Sequence, residues 1–115
     1  MTDAPSRVGE IFAGRDPIVG SVYDRLVHEL SAVGPFSEEP RESSVYLAHS
    51  VTFAGVHPGQ SHLILSLRLD RPVDGARAHR TEQVSANRWQ VEFKLTDPAE
   101  VDELRDLLVS AMALV

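Results

Sequence analysis

The sequence HLILSLRLD, at residues 62–70, decides the fold class because a leucine occupies every second position. The segment NRWQVEFKL, at residues 87–95, alternates in the same way, with one row formed by Trp89, Val91, Phe93 and Leu95. Successive side chains of a β-strand point to opposite faces, so each segment is predicted to be a strand with one buried row. Strands with one covered face and one wetter face are typical of an antiparallel sheet.

Three weaker strands are predicted beside these two. Ser44–Ala48 and Val51–Val56 have the composition of extended segments. The segment at residues 71–86 is longer than most loops of compact domains, which favours a short strand near Thr81–Val84. The sheet is therefore expected to have about five strands.

A helix is predicted upstream of the sheet. Asp16-Pro17 supplies a capping carboxylate and a proline suited to the first helical position, and Gly34-Pro35 ends the helix. Between them runs an apolar stripe at helical spacing, formed by Ile18, Val22, Leu26, Leu30 and Val33. Residues 1–14 are expected to be a partly ordered N-terminal segment, with one or two helical turns around Val8–Phe12. The polar stretch at residues 38–43 is predicted to be a loop.

The chain closes with a predicted amphipathic helix from Asp97 to Met112. Asp97 and Glu100 match a capping box, and Pro98 suits the first helical position. The apolar face of this helix must be covered, and the two alternating strand rows are its expected partners. An antiparallel sheet of about five strands packed against an N-terminal helix and a C-terminal helix is an α+β fold. Residues 1–115 are expected to form a single domain.

The composition restricts the classes of function. The 115 residues contain no cysteine, which excludes a disulfide framework, a thiolate nucleophile and cysteine-based zinc sites. The net charge of −6 repels nucleic acid and anionic membrane surfaces, so a nucleic-acid partner is not expected. No segment approaches the roughly 20 apolar residues needed to cross a bilayer, and no leader is recognised. A cytoplasmic protein without membrane contact is therefore predicted.

Motifs that carry a defined chemistry are missing from the sequence. Five histidines are present, but none has the i, i+2 or i, i+4 spacing of a metal-ligand pair. The chain also lacks a G-x-S-x-G nucleophile elbow and a glycine-rich phosphate loop. No catalytic residue, metal ion or cofactor is therefore predicted, and a protein that is not an enzyme is favoured.

The polar row of the sheet is the remaining candidate site. The tentative ligand-binding residues are Arg68 and Lys94 on this row, with His79, Arg80 and Asn87 from the neighbouring loop. The predicted function is a binding module that recognises a small anionic ligand or a protein partner through this face and the loop at residues 71–86. In the alternative, Arg68, Glu92 and Lys94 form cross-strand charge pairs on a solvated face, which is the commoner arrangement.

Two other hypotheses stay open. A small enzyme would need an acid/base cluster to converge in one concave pocket. The residues of that cluster would be His49, Arg68, His79, Arg80 and Glu82. A homodimer would use the N-terminal helix, where Val19, Tyr23 and Val27 broaden the apolar stripe beyond what one core needs.

Several short motifs in a fixed order give the chain a family resemblance. They are FAGV at residues 53–56, RLD at residues 68–70, SANR at residues 85–88 and the closing helix. With these motifs the chain resembles, from about Ile11 to Val115, the bacterial family catalogued as domain of unknown function 5655. The resemblance implies a compact α+β domain, found alone or appended to other domains, and it brings no established catalytic residue.

Overall fold

An antiparallel sheet and four helices make up the residues that the structure, a computed structural model, describes: 4–73 and 78–114. The strands are β1 (Ser37–Pro40), β2 (Val45–His49), β3 (Val51–Pro58), β4 (Leu63–Leu69), β5 (Arg80–Ser85) and β6 (Arg88–Leu95). The helices are α1 (Ala4–Phe12), α2 (Pro17–Val33), α3 (Ala99–Asp102) and α4 (Arg105–Ala113). The strand order is β1-β2-β3-β4-β6-β5, and neighbouring strands are antiparallel. The predicted α+β fold is confirmed.

The described sheet has six strands, one more than the five predicted from the sequence. The additional strand is β1, which lies largely in the polar stretch predicted to be a loop. It pairs with β2, and the pairing sets Glu38 opposite Leu47 and Pro40 opposite Val45. The sequence pattern missed β1 because a strand at the edge of a sheet tolerates charged residues and proline.

The two alternating strand rows form the floor of the core, as predicted. Leu63, Leu65, Leu67 and Leu69 are all 0% exposed, and Val91, Phe93 and Leu95 are at most 2% exposed. Helix α4 packs across β4 and β3, and α2 packs against α3, α4 and β4. The helices therefore cover the apolar rows, and the polar rows of β4 and β6 lie on the other face of the sheet.

Hydrogen bonds confirm both predicted helix starts. The carboxylate of Asp16 accepts a hydrogen bond from the backbone N–H of Ile18 at 3.0 Å. The carboxylate of Asp97 accepts from the N–H of Ala99 at 2.8 Å. The carboxylate of Glu100 accepts from the N–H of Asp97 at 3.1 Å, which completes the capping box. Local side chains therefore determine where these helices begin.

The closing helix is interrupted, which the sequence pattern did not predict. Helix α3 ends at Asp102 and α4 begins at Arg105, because Leu104 has φ −99° and ψ 6° and leaves the α-helical region. The N–H of Leu104 donates to the carbonyl of Val101 at 3.0 Å, a tighter turn of the 3₁₀ type. Val101, Leu104 and Leu108 are all buried across this turn. The single predicted helix is therefore two helices.

Two ion pairs join α2 to the closing helices. The guanidinium of Arg25 donates to both oxygens of Asp102, each at 2.8 Å. Hydrogen bonding from Arg25 holds the pKa of Asp102 below its ordinary value. In α4, Nε of Arg105 donates to Oε1 of Glu29 at 2.9 Å, and Glu29 is only 5% exposed. Charged contacts therefore reinforce the apolar packing between these helices.

The broad apolar stripe of α2 is used inside the chain. Val19 and Tyr23 are buried, and the centroid of the Tyr23 ring lies 4.8 Å from that of Phe12 in α1. The Tyr23 hydroxyl donates a hydrogen bond to Glu38 of β1. Burial, reinforced by this carboxylate, raises the pKa of Tyr23. Contacts within one chain therefore account for the breadth of the stripe. That breadth was the basis of the homodimer hypothesis.

Candidate functional site

The polar face of the sheet is organised around Ser66 of β4. Ser66 lies opposite Gly55 of β3 on one side and opposite Glu92 of β6 on the other. Gly55 in turn lies opposite Tyr46 of β2. These positions form one row across four strands, and Arg68 lies two residues further along β4 on the same face.

A small cavity of about 90 Å³ lies on this face and is called the polar pocket below. It is lined by strand residues, among them Tyr46, Phe53, Gly55, His57, Ser66, Arg68 and Gln90. The polar pocket therefore combines aromatic rings with a hydroxyl, an amide and a guanidinium. A few convergent polar groups beside apolar surface are typical of sites for small ligands.

Gly55 gives the polar pocket its floor. A Cβ atom at this position would lie 3.2 Å from Nε2 of His57 and 3.8 Å from Cβ of Ser66. The absence of a side chain lets the His57 ring lie close to the strand. There it meets the Tyr46 ring edge to face, with the ring centroids 5.9 Å apart. The pocket consequently has an aromatic wall on the side of β2 and β3.

The hydroxyl of Ser66 is the most unusual group in the polar pocket. Ser66 is 8% exposed, and its Oγ is buried without a hydrogen-bond partner among the described residues. Buried polar atoms in folded proteins usually have a partner, and an unpaired one costs about 1–3 kcal/mol. An alanine would occupy nearly the same volume without that cost. The hydroxyl therefore has an unmet hydrogen bond, which a molecule that enters the pocket and displaces the neighbouring side chains can supply.

Arg68 brings a positive charge to the polar pocket. Among the residues that the structure describes, Arg68 has no hydrogen bond or ion pair. Other exposed arginines lie close to carboxylates: Arg71 is 3.0 Å from Asp70, and Arg80 is 3.7 Å from Glu82. The planar fork of N–H donors on Arg68 is therefore available to an anion.

The five tentative ligand-binding residues, all of them described, do not share one site. Arg68 lines the polar pocket. Lys94 and Arg80 lie on the same face, in β6 and β5, but outside the pocket lining. His79 precedes β5, and Asn87 lies in the turn between β5 and β6. Arg68 therefore lies beside Ser66 in the polar pocket, and the other four residues lie outside the pocket lining.

The residues of the alternative enzyme site do not converge either. Arg68 lines the polar pocket, whereas Nδ1 of His49 lies 2.8 Å from a backbone carbonyl oxygen ahead of β1. Arg80 and Glu82 are exposed on the edge strand β5. Residues 74–77, which belong to the segment 71–86 named as part of the predicted site, lie outside the described residues. Within the described chain, these groups do not line a common cavity.

Gly55 and His57 are site residues that sequence reasoning missed. His57 is followed by Pro58-Gly59, which favours a turn, but β3 continues to Pro58. Gly55 and His57 could have been grouped from the sequence, because residues two positions apart in a strand share a face. The pairing of β3 with β4 then brings them beside Ser66. This pairing forms only in the folded sheet, so the alternation of polar and apolar residues within one strand does not predict it.

The described residues contain no group of three or more histidines, aspartates or glutamates that could hold a metal ion. His57, the histidine that lines the polar pocket, has the Tyr46 ring as its neighbour. None of the described helices is long and apolar enough to cross a membrane.

The family model described as domain of unknown function 5655 matches residues 8–115. The matched region includes every described strand and helices α2 to α4, and therefore the whole polar pocket. No curated protein and no solved structure matches the chain significantly. Because the match covers nearly the whole sequence, the resemblance seen in the short motifs is confirmed. The chain belongs to the family described as domain of unknown function 5655.

Proposed function

We propose that this domain binds a small anionic ligand in the polar pocket. The observation that carries the proposal is the buried hydroxyl of Ser66, which has no partner among the described residues. Arg68 lies two residues further along the same strand and contacts no carboxylate in the described chain. A hydroxyl and a guanidinium on one strand face can bond the same anion. Each hydrogen bond to a charged group contributes about 1.5–3 kcal/mol.

Two of the acidic side chains around the polar pocket lie close to cations, whereas Glu92, opposite Ser66, has no ion pair among the described residues. Glu39 lies opposite Tyr46 in the sheet and 3.7 Å from Arg41. Glu82 lies 3.7 Å from Arg80 on β5. The Arg41 guanidinium also lies 5.2 Å from the centroid of the Tyr46 ring, outside the pocket lining, where Glu39 offsets its charge. These contacts support a local preference for anions on a chain with net charge −6.

The residues that line the pocket favour binding of the ligand without catalysis. No aspartate or glutamate among the described residues lines the polar pocket, so no carboxylate there can orient His57 as a base. The hydroxyl of Ser66 makes no hydrogen bond to His57. A nucleophilic serine needs a base within roughly 3 Å. The pocket therefore has donors for binding and lacks the pairing that activates a nucleophile.

Thermal unfolding with added anions tests this proposal, because a ligand that binds only the native state raises the melting temperature. We expect at least one of acetate, benzoate and phosphate, compared at constant ionic strength, to raise the melting temperature of the wild type. The Arg68→Gln variant should lose this shift. Arg71→Gln removes an ion-paired arginine outside the pocket and should keep it. Equal shifts in all three proteins, or no shift in any, would contradict binding in the polar pocket.

A second candidate function is association with another copy of the chain through the edge strand β5. All six residues of Arg80–Ser85 are exposed, and β5 pairs with β6 alone in the described sheet. An exposed edge presents unpaired backbone groups and can accept a strand from another chain. An antiparallel pair centred on Thr81 would set Arg80 of each copy opposite Glu82 of the other, a favourable charge pairing.

Sedimentation equilibrium tests this second candidate. The wild type should form a dimer, and Arg80→Glu should weaken it because two carboxylates would then oppose each other. The double variant Arg80→Glu/Glu82→Arg restores opposite charges and should restore the dimer. A wild-type protein that stays monomeric, or a double variant as weak as the single one, would rule out this mode of association.

A further inference from the structure

We infer that the ligand of the polar pocket is a small monocarboxylate with a flat apolar body, an inference that rests on the proposed function. Three properties of the pocket carry it: the charge of its lining, its volume and the position of its aromatic rings. Ser66 and Arg68 mark one end of the pocket, on β4. Tyr46 and His57 mark the other end, on β2 and β3.

The charge of the lining matches a monoanion. Among the lining residues that the structure describes, Arg68 is the one lysine or arginine. A phosphate group carries a charge of about −1.5 to −2 at neutral pH, which one guanidinium does not balance. A carboxylate carries a single negative charge. The positive charge of the pocket therefore balances the charge of a monocarboxylate more completely than that of a phosphate.

The available donors also match a carboxylate. Phosphate sites commonly use backbone N–H groups at a helix N-terminus or in a loop, whereas the described lining of this pocket lies in strands. Backbone groups near Gly55 are engaged in pairing with β2 and β4. The guanidinium of Arg68 can donate two parallel hydrogen bonds to a carboxylate, and the hydroxyl of Ser66 can donate a third.

The volume of about 90 Å³ limits the size of the ligand. An apolar cavity of roughly 150 Å³ holds one benzene molecule, so this pocket encloses a carboxylate with a few further atoms. The rest of a benzoate ring would lie at the mouth of the pocket. Nucleotides and sugar phosphates exceed the pocket volume.

Two aromatic side chains, Tyr46 and His57, line the pocket on β2 and β3, away from Arg68 on β4. Their rings meet edge to face at 5.9 Å. Phe53 precedes Ala54, the partner of Leu67, so it lies beside Arg68, and it is 1% exposed. Adjacent strands lie about 4.8 Å apart, so β2 and β4 are separated by about 10 Å. Flat rings pack favourably against the faces and edges of other rings. A ligand with a carboxylate at one end and a flat ring at the other spans this distance.

Isothermal titration calorimetry with four probes tests the inference: benzoate, acetate, benzamide and phenyl phosphate. Benzoate should bind at least about ten-fold more tightly than acetate, which lacks the ring, and than benzamide, which lacks the charge. Benzoate should also bind more tightly than phenyl phosphate. Arg68→Gln should weaken benzoate binding at least about ten-fold. Arg71→Gln removes an ion-paired arginine outside the pocket and should change the affinity less than about two-fold.

Gly55→Ala provides a variant that acts on the shape of the pocket rather than its charge. The added Cβ would lie 3.2 Å from Nε2 of His57, so it occupies the floor and the ring must shift by a few tenths of an ångström. Benzoate affinity should fall at least about ten-fold, with a native circular dichroism spectrum. Unchanged affinity in a folded Gly55→Ala protein would overturn the assignment of the ligand to this pocket.

The other outcomes separate this inference from the proposed function. Tighter binding of phenyl phosphate than of benzoate, lost in Arg68→Gln, would overturn the monocarboxylate and leave anion binding in place. If acetate binds as tightly as benzoate, again through Arg68, the inference of a flat apolar body is wrong, and the inference of a monocarboxylate remains. Absence of Arg68-dependent binding for every probe would overturn both proposals.

Discussion

Ser66 lies directly opposite Gly55 across β4 and β3, so a buried hydroxyl adjoins a strand position that has no side chain. The Cβ that Gly55 lacks would lie 3.8 Å from Cβ of Ser66. The His57 ring lies over this position, so the Ser66 hydroxyl is enclosed at the base of the polar pocket. The proposal of ligand binding depends on this relationship and on the nearby guanidinium of Arg68.

Replacing Ser66 with alanine should not destabilise the fold. The buried hydroxyl has no partner among the described residues, so its removal should leave the free energy of unfolding unchanged or raise it by about 1 kcal/mol. Ser37→Ala is the control, because the Ser37 hydroxyl donates to the carbonyl of Ala48 at 3.5 Å. That variant should lose about 0.5 kcal/mol. Urea denaturation measures both, and a loss above about 1 kcal/mol for Ser66→Ala would mean that the hydroxyl has a stabilising partner.

Two neighbouring positions of β4 should respond differently to truncation. Leu65 is 0% exposed and faces the helices, so Leu65→Ala should cost about 2–5 kcal/mol of unfolding free energy. Ile64 faces the polar side and is half-buried, so Ile64→Ala should cost about 1 kcal/mol. Chemical denaturation of both variants measures the difference. Equal losses would mean that the two faces of the sheet are buried to the same extent.

The contact between Arg105 and Glu29 should matter more than an ordinary surface ion pair. Glu29 is 5% exposed, and Arg105 donates to it at 2.9 Å. Arg105→Ala leaves a nearly buried carboxylate with only Arg25, at 3.7 Å, and should cost about 2 kcal/mol. Asp106→Ala, at an exposed neighbour, should change stability by less than about 0.5 kcal/mol. Similar losses from both variants would show that the buried carboxylate does not depend on Arg105.

The pair formed by Arg25 and Asp102 should contribute stability that depends on pH. Because hydrogen bonding from Arg25 lowers the pKa of Asp102 in the folded state, the contribution is fully present above the unfolded pKa of about 3.9. It is lost as the pH falls through the lower folded pKa. The difference in stability between wild type and Asp102→Asn should therefore shrink between about pH 5 and pH 2. Denaturation across this range measures it, and a constant difference would contradict the linkage.

Most of the fold could be predicted from local patterns. Alternation at residues 62–70 indicated a half-buried strand, and Asp97 with Glu100 marked the start of the closing helix. Strand β1 could not be predicted in this way, because its stability comes from pairing with β2 rather than from its own polar residues. The break at Leu104 could not be predicted either, because Val101, Leu104 and Leu108 would share the buried face of an uninterrupted helix as well.

The candidate site was predictable only in part. Arg68 stood out from the sequence because it lies on the polar row of a clear strand. Its neighbours in the polar pocket follow from strand register, and a shift of one residue would turn every side chain to the other face. A register shift in β3 leaves Phe53 between the paired positions Ala54 and Thr52, which alternation alone does not reveal.

Backbone amide chemical shifts during a titration with benzoate test the central claim most directly. The largest changes should occur at Gly55, Ser66 and Arg68, should saturate with benzoate concentration, and should disappear in Arg68→Gln. Changes concentrated on β5 or on the helices, or no change at high benzoate concentration, would contradict the binding of a small carboxylate in the polar pocket.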